Sequence, residues 1–163
     1  MYFAAANQFE DNFEGASMIV GPNTKEIEYC QNFTLINNAF KELQKLTKIS
    51  CWHKSNHESH AMWKIYSQDN KGVAITTTPE KMRLAFKPYR IRPEYCEEDL
   101  IIGNVEYVDL TSEHIDDTML GDFFHKHLIY AYENEIRLVI SLRIAEEFGV
   151  NVPKEGIFVQ VDY

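Results

Sequence analysis

The residues best suited to chemistry are two glutamates and an arginine at alternate positions, Glu133, Glu135 and Arg137. If the chain is extended there, side chains two residues apart lie on one face, about 6.6 to 7 Å from one another. Such a row can hold ribose hydroxyls, orient a water molecule or bind a cation. Crowding would raise the pKa of one of the two carboxyl groups. We therefore predict that these three residues form the catalytic site.

A structural explanation competes with this chemical one. The apolar residues Ile136, Leu138 and Ile140 alternate with the charged row, which is typical of a strand with one apolar face. On such a strand Arg137 can bridge the glutamates on a solvated face without any ligand. The row alone is therefore compatible with a site and with a salt-bridged surface.

A second group of candidate ligands contains three histidines, His53, His57 and His60. Histidines at this spacing suit zinc or another transition metal, but the helical metalloprotease motif would need a histidine where Ala61 stands. We favour surface or hydrogen-bonded histidines and predict no metal site. Cys51, in an apolar strand, is expected to be a buried thiol without a catalytic role.

Charge is unevenly distributed along the chain. The net charge of −9 arises from 16 basic and 25 acidic residues, yet residues 94–122 hold ten acids and no lysine or arginine. Residues 81–92 form a basic segment that includes Arg83 and Arg90. This segment can hold phosphate groups, or it can be neutralised by the acids that follow it. A broad nucleic-acid-coating role is disfavoured, whereas a small anionic ligand is not.

The elements that must position these residues follow from the hydrophobic pattern. Strands are expected at residues 2–3, 49–53, 73–78, 104–108, 135–143 and 157–161. Helices are expected within 24–46, from Ser55 to an end signal at residues 70–72, from Pro79 onward and over 121–130. Strands and helices in this irregular order predict an α+β fold, with a mixed β-sheet and flanking helices in a single domain of residues 1–163.

Two of the helices carry start signals. Ser55 and Glu58 have the spacing of a capping box, and Thr78 before Pro79 predicts an N-cap followed by proline at the first helical position. In the helix that follows Ser55, the apolar stripe containing Met62, Trp63 and Tyr66 recurs at helical spacing. That stripe is expected to face the core.

Composition narrows the class of protein. A hydrophobic share of 45% excludes a disordered chain, and no apolar run has the length of a membrane span. The three cysteines include no C-x-x-C pair, and the first residues lack the pattern of a signal peptide. We therefore expect a cytoplasmic protein whose cysteines are reduced.

Six short motifs in order along the chain resemble the bacterial and phage family catalogued as domain of unknown function 2971. They are Tyr2-Phe3 with the aromatic and acidic run at 9–15, Ser50-Cys51-Trp52, Glu58-Ser59-x-x-Met62-Trp63-x-x-Tyr66, Gly72-Val73-Ala74-Ile75, Val105-x-Tyr107 and Tyr132-Glu133-x-Glu135-x-Arg137. The resemblance implies a microbial protein, some relatives of which are suspected of roles in phage defence. It implies no established activity.

The same resemblance implies a shortened chain. Family members usually continue beyond the last strand with another strand and a helix, whereas this chain ends at Tyr163. We therefore expect an exposed sheet edge and a tendency to self-associate.

A fainter similarity of motif order links the chain to NAD-dependent ADP-ribosyltransferases. The corresponding strings are residues 51–53, 75–78 and 133–135. The similarity implies that Glu135 binds a ribose hydroxyl and polarises the departing nicotinamide, while His53 helps to hold the nucleotide.

Two functional hypotheses remain. The first is an enzyme that binds or converts a nucleotide or another phosphate-bearing ligand; no cofactor can be named. Its ligand-binding residues would be His53, Trp52, Trp63, Tyr66, Arg83 and Arg90. The second is a non-catalytic module that recognises a protein or nucleic acid through charged surfaces. A cleft with Glu135 near Arg137 and His53 would favour the enzyme, and a convex solvated row would favour the module.

Overall fold

A computed structural model describes residues 1–9, 15, 29–67, 71–112 and 120–162, without the side chains of residues 29–37. Seven strands are described: β1 (Tyr2–Ala5), β2 (Thr47–His53), β3 (Ile101–Asn104), β4 (Glu106–Val108), β5 (His125–His127), β6 (Glu135–Ser141) and β7 (Gly156–Phe158). The α-helices are α1 (Tyr29–Leu46), α2 (His60–Tyr66), α3 (Pro79–Ala85) and α4 (Arg143–Glu147). The 3-10 helices among the described residues include Ala6–Gln8, Gly121–Phe124 and Leu128–Glu133.

Five of the strands form an antiparallel sheet in the order β3-β6-β2-β1-β7, and β4 pairs with β5 in a small parallel sheet. This combination of sheet and helices confirms the predicted α+β class. Strand β6 lies between β2 and β3, with Arg137 opposite Cys51 on one side and opposite Gly103 on the other. Its neighbours therefore cover both of its edges.

The sheet buries apolar residues on both faces. On one face, Leu138 and Ile140 of β6 belong to a large cluster that includes Phe3, Met82 and Phe86. On the other face, Val139 packs with Ile49 and with Phe123 of the 3-10 helix Gly121–Phe124. Helix α3 thus covers the first face, and the 3-10 helix covers the second.

Several predicted elements are confirmed. Strand β2 extends the predicted 49–53 strand, and β6 matches the alternating run at 135–143. The predicted cap is also correct, since the Thr78 side chain accepts a hydrogen bond from the Lys81 amide and Pro79 begins α3. The part of the 24–46 helix before Tyr29 lies outside the described residues, as does most of the motif at 9–15.

The strand predicted at 73–78 is wrong, since the segment has no regular secondary structure and is exposed. Its β-branched composition suits a strand only where a neighbouring strand offers hydrogen bonds, and none in the described part of the chain does. The helix predicted over 121–130 is also wrong. Residues 125–127 are instead drawn into β5, because they pair with β4.

The capping box predicted at Ser55 is wrong as well. Ser59 caps α2 by accepting a hydrogen bond from the Met62 amide, whereas the Ser55 hydroxyl donates to the His57 carbonyl. None of the α2 residues is buried, so the stripe expected to face the core lies at the surface. Met62 and Trp63 are half-buried and Tyr66 is exposed, so the apolar side of this seven-residue helix lies partly in water.

Candidate functional site

Glu135 and Arg137 lie side by side on one face of β6, and both are buried, with 6% and 0% of their surfaces exposed. The expectation of a solvated, salt-bridged surface is therefore wrong. Burial arises because β2 and β3 flank the strand and the Gly121–Phe124 helix covers this face. Gly103 of β3 permits that cover, because a side chain there would come within 2.7 Å of the Phe124 ring.

Glu133 also lies beside Glu135, but a turn positions it there, whereas its spacing predicts an extended strand. It ends the 3-10 helix Leu128–Glu133, and Asn134 then takes a left-handed conformation with φ of 42°. The chain is thus not extended at Glu133. The side-chain amide of Asn134 donates to the Lys54 carbonyl over 2.5 Å, which ties this turn to the end of β2. The turn keeps Glu133 close to Glu135.

Lys126 of β5 connects the two glutamates. Its ammonium group lies 2.5 Å from Glu133 Oε2 and 3.0 Å from Glu135 Oε1, while Arg137 Nε donates to Glu135 Oε2 over 2.7 Å. The Arg137 Nη1 group donates to the Phe123 carbonyl over 2.7 Å. The four side chains form a buried network of two cations and two acids.

Lys126 is not among the residues predicted from the sequence to lie in the site. Its spacing of seven residues from Glu133 does not predict the contact, because the contact depends on β5 pairing with β4 and on the turn at Asn134. The only sequence signal is the alternation of His125, Lys126 and His127, which suits a strand of period two.

The two carboxyl groups have pKa values shifted in opposite directions. Burial would raise the pKa of Glu135, but Arg137, a hydrogen bond with Glu133 and Lys126 outweigh it and hold the pKa at about 2. Burial raises the pKa of Glu133, the hydrogen bond with Glu135 adds to this, and Lys126 offsets it only in part. Glu133 therefore keeps a proton to a higher pH than Glu135, and the two can share it.

Two tyrosines border this pair. The Tyr107 hydroxyl accepts a hydrogen bond from the Glu135 amide over 2.8 Å. Burial raises the pKa of the Tyr66 hydroxyl, and the charges of Glu133 and Glu135 raise it further. Yet 72% of the Tyr66 surface is exposed. Tyr66 therefore lies where the network meets solvent.

His53 lies at the same boundary. Its Nδ1 atom is 2.5 Å from the Glu133 carbonyl oxygen, and because a carbonyl can only accept, Nδ1 carries the proton in this contact. The exposed Nε2 atom is then an acceptor. Cys51, two residues earlier on the same face, is exposed, so the expected buried thiol is wrong. The sheet is thus covered over Val139 but open near Cys51 and His53.

The other predicted ligand-binding residues are not brought to this place. Trp52 points to the opposite face and packs with the cluster of Leu138. Arg83 is exposed on α3, which covers that opposite face. Arg90 pairs with Glu97 over 2.6 Å and donates to the Tyr95 carbonyl. The structure therefore shows that an acid of the following acidic segment neutralises Arg90.

Trp63 is half-buried on α2, where its ring faces the Gly72 backbone. His57 and His60 are exposed. Among the described residues, no group of three or more His, Cys, Asp or Glu side chains is placed to hold a metal ion. No helix described here has the length and apolar character needed to cross a membrane.

Comparison with known proteins gives one family. Residues 62–138 match the model of the family described as "Protein of unknown function (DUF2971)", which confirms the resemblance carried by the motifs from Met62 onward. The matched range includes Lys126, Glu133, Glu135 and Arg137. Neither the curated proteins nor the solved structures contain a significant match.

Proposed function

We propose that this chain, which is similar to the DUF2971 family over residues 62–138, binds a nucleotide or another phosphate-bearing ligand at the rim formed by Glu133, His53 and Tyr66, and that Glu133 transfers a proton there. One observation carries the proposal. The Glu133 and Glu135 carboxyl groups share the Lys126 ammonium, Glu135 has a second cationic partner, and the pKa values of the two acids are shifted in opposite directions. In a carboxyl pair of this kind, one group stays ionised while the other can hold a proton and act as an acid.

The geometry supports different roles for the two acids. Both oxygens of Glu135 are engaged by cations, and its side chain is 7% exposed, so it has no oxygen to offer a ligand without breaking an ion pair. Glu133 has a single cationic partner, lies nearer the surface and retains its proton longer. We therefore assign proton transfer to Glu133 and positioning to Glu135 and Arg137. The ribose contact that the ADP-ribosyltransferase similarity implies for Glu135 suits Glu133 better.

The balance of charges in the network indicates which part of a ligand would bind at the rim. Lys126 and Arg137 are matched by two glutamates, so the network offers no excess positive charge for a phosphate group. Hydroxyl groups suit it better, because His53 Nε2 can accept a hydrogen bond from a ribose hydroxyl. The exposed ring of Tyr66 offers a surface on which a base can stack. The phosphates would then extend toward solvent.

The wider setting rests on the sequence alone. We propose a cytoplasmic protein with a role in phage defence, as the family resemblance implies, and transfer or hydrolysis at the ribose as the reaction class.

Calorimetric titration with NAD, ADP-ribose and adenosine tests the proposal. Glu133→Gln keeps the shape of the side chain but removes its titration, so we expect ligand binding to weaken and any turnover to be lost. Glu80→Gln, an exposed substitution on α3 at the opposite face, is the matched control and should bind as the unmodified protein does. Equal ligand binding by both variants would mean that the site lies elsewhere. If none of the three compounds binds, the nucleotide proposal is refuted.

A separate observation favours the non-catalytic module. Leu128, Ile129 and Tyr132 on the 3-10 helix before Glu133 are 50%, 66% and 54% exposed, an apolar surface that suits contact with a protein. If that is its function, Ile129→Ser should abolish partner binding while Glu133→Gln leaves it unchanged. The reverse pattern would favour the enzyme.

A further inference from the structure

The segment 73–78 is a strand-forming sequence without a strand partner in the described part of the chain. Its six residues, Val-Ala-Ile-Thr-Thr-Thr, are uncharged and mostly β-branched. Residues 71–80 are all exposed, with Val73 at 95% and Ile75 at 65%. An exposed segment of high β-propensity and no charge is a template for pairing with another chain.

We propose that this segment pairs antiparallel with the same segment of a second copy of the chain. Lys71 precedes the uncharged run and Glu80 follows it. Antiparallel pairing brings Lys71 of each copy to the end where Glu80 of the other copy lies, whereas parallel pairing in register sets like charges side by side. An antiparallel pair also closes under two-fold symmetry, as most homodimers do.

Symmetry and charge together select a register. An antiparallel pair with a two-fold axis must place one residue opposite itself, and Ile75 and Thr76 are the central choices. With Thr76 at the axis, Lys71 of one copy would face Lys81 of the other. With Ile75 at the axis, Val73 faces Thr77, and apolar or methyl-bearing side chains line one face. We therefore place Ile75 opposite Ile75 of the second copy.

A pair of six-residue strands is a small interface, so the dimer should be weak and should form with increasing protein concentration. Sedimentation equilibrium over a wide concentration range measures it. We expect Ile75→Lys to weaken dimerisation at least about tenfold, because two lysines then meet at the axis. Leu84→Lys makes the same change at a residue that is 77% exposed outside the segment, and it should dimerise as the unmodified protein does.

Two results would overturn the proposal. One is an unmodified chain that remains monomeric at every concentration, in which case the segment binds a different partner or none. The other is a dimer that Ile75→Lys leaves unchanged, which would locate the contact elsewhere. Circular dichroism of both lysine variants should match that of the unmodified chain, because neither side chain contributes to the core.

Disulfide trapping tests the register. In a chain whose three native cysteines are replaced by serine, Ile75→Cys should cross-link to itself in the dimer. Thr76→Cys is the matched control, since it lies on the other face, opposite Ala74 of the second copy. Equal cross-linking of the two variants would contradict the register. These experiments involve no residue of the Glu133 rim, so their outcome is independent of nucleotide binding.

Discussion

The two faces of strand β6 are equally buried but are stabilised by different interactions. On one face, Leu138 and Ile140 lie among apolar side chains at 0% and 1% exposure. On the other, Glu135 and Arg137 are buried as deeply, and their stability depends on hydrogen bonds and ion pairs of defined geometry. The apolar face can therefore tolerate a change of shape or of pH, whereas the polar face depends on each partner and on its charge.

The largest difference should follow from removing Arg137. Arg137→Ala leaves Glu135 buried beside a single cation, and we expect a loss of about 4 kcal/mol in the free energy of unfolding, measured with urea. The double variant Glu135→Gln, Arg137→Met removes both charges and should recover much of that loss. A single-variant loss below about 1 kcal/mol would show that the network does not stabilise the fold.

The matching change on the apolar face is Leu138→Ala. We expect a loss of about 3 kcal/mol from the missing packing and the cavity that it leaves. Because no charge is involved, the loss should be the same in neutral and in acidic buffer. A marked dependence on pH would contradict the contrast between the two faces.

Acid should weaken the polar face. The pKa of Glu135 is lowered to about 2 from an ordinary 4.5, so its ionised form stabilises the fold by about 3 kcal/mol above the unfolded pKa. This contribution is lost as the pH falls through the folded pKa. The raised pKa of Glu133 acts in the opposite direction, so we expect the net loss between about pH 5 and pH 2 to be smaller than the Glu135 contribution alone.

Urea unfolding across that pH range measures the effect. The matched variant is Glu135→Gln, in which the Glu135 contribution is absent and the dependence on pH should be correspondingly shallower. Parallel curves for the two proteins would mean that Glu135 titrates normally in the folded state.

The smallest effect is expected at the exposed rim. His53→Ala removes the hydrogen bond to the Glu133 carbonyl, and because the group is exposed we expect a loss of less than about 1 kcal/mol. His60→Ala, a histidine also exposed on α2, should have no effect. A thermal shift assay of the two variants compares them, and a large loss for His53→Ala would identify it as part of the buried network.

Local patterns predicted several parts of this molecule correctly. The period of two at 135–143 predicts β6, and Thr78 followed by Pro79 predicts the start of α3. The spacing of two residues also predicted correctly that Glu135 and Arg137 lie on one face of the strand. These predictions succeed because capping and strand alternation depend on residues close together in sequence.

The wrong predictions fall where distant parts of the chain meet. Residues 125–127 form a strand because β4 lies beside them, although their neighbours suggest a helix. The segment 73–78 shows the reverse, a strand composition without a paired strand. In both cases local propensity is a weak preference that tertiary contacts override.

By itself, the sequence determined the alternation along β6, the row of acids with an arginine, the absence of a long apolar span and the family resemblance. Only the tertiary structure decided that this row is buried, that Lys126 joins it and that Arg83 and Arg90 lie away from it. The physical reason is that side-chain alternation follows from backbone geometry within a strand, whereas burial and ion pairing depend on the neighbours that folding brings together. The two glutamates therefore resemble each other in the sequence and differ in their pKa values in the fold.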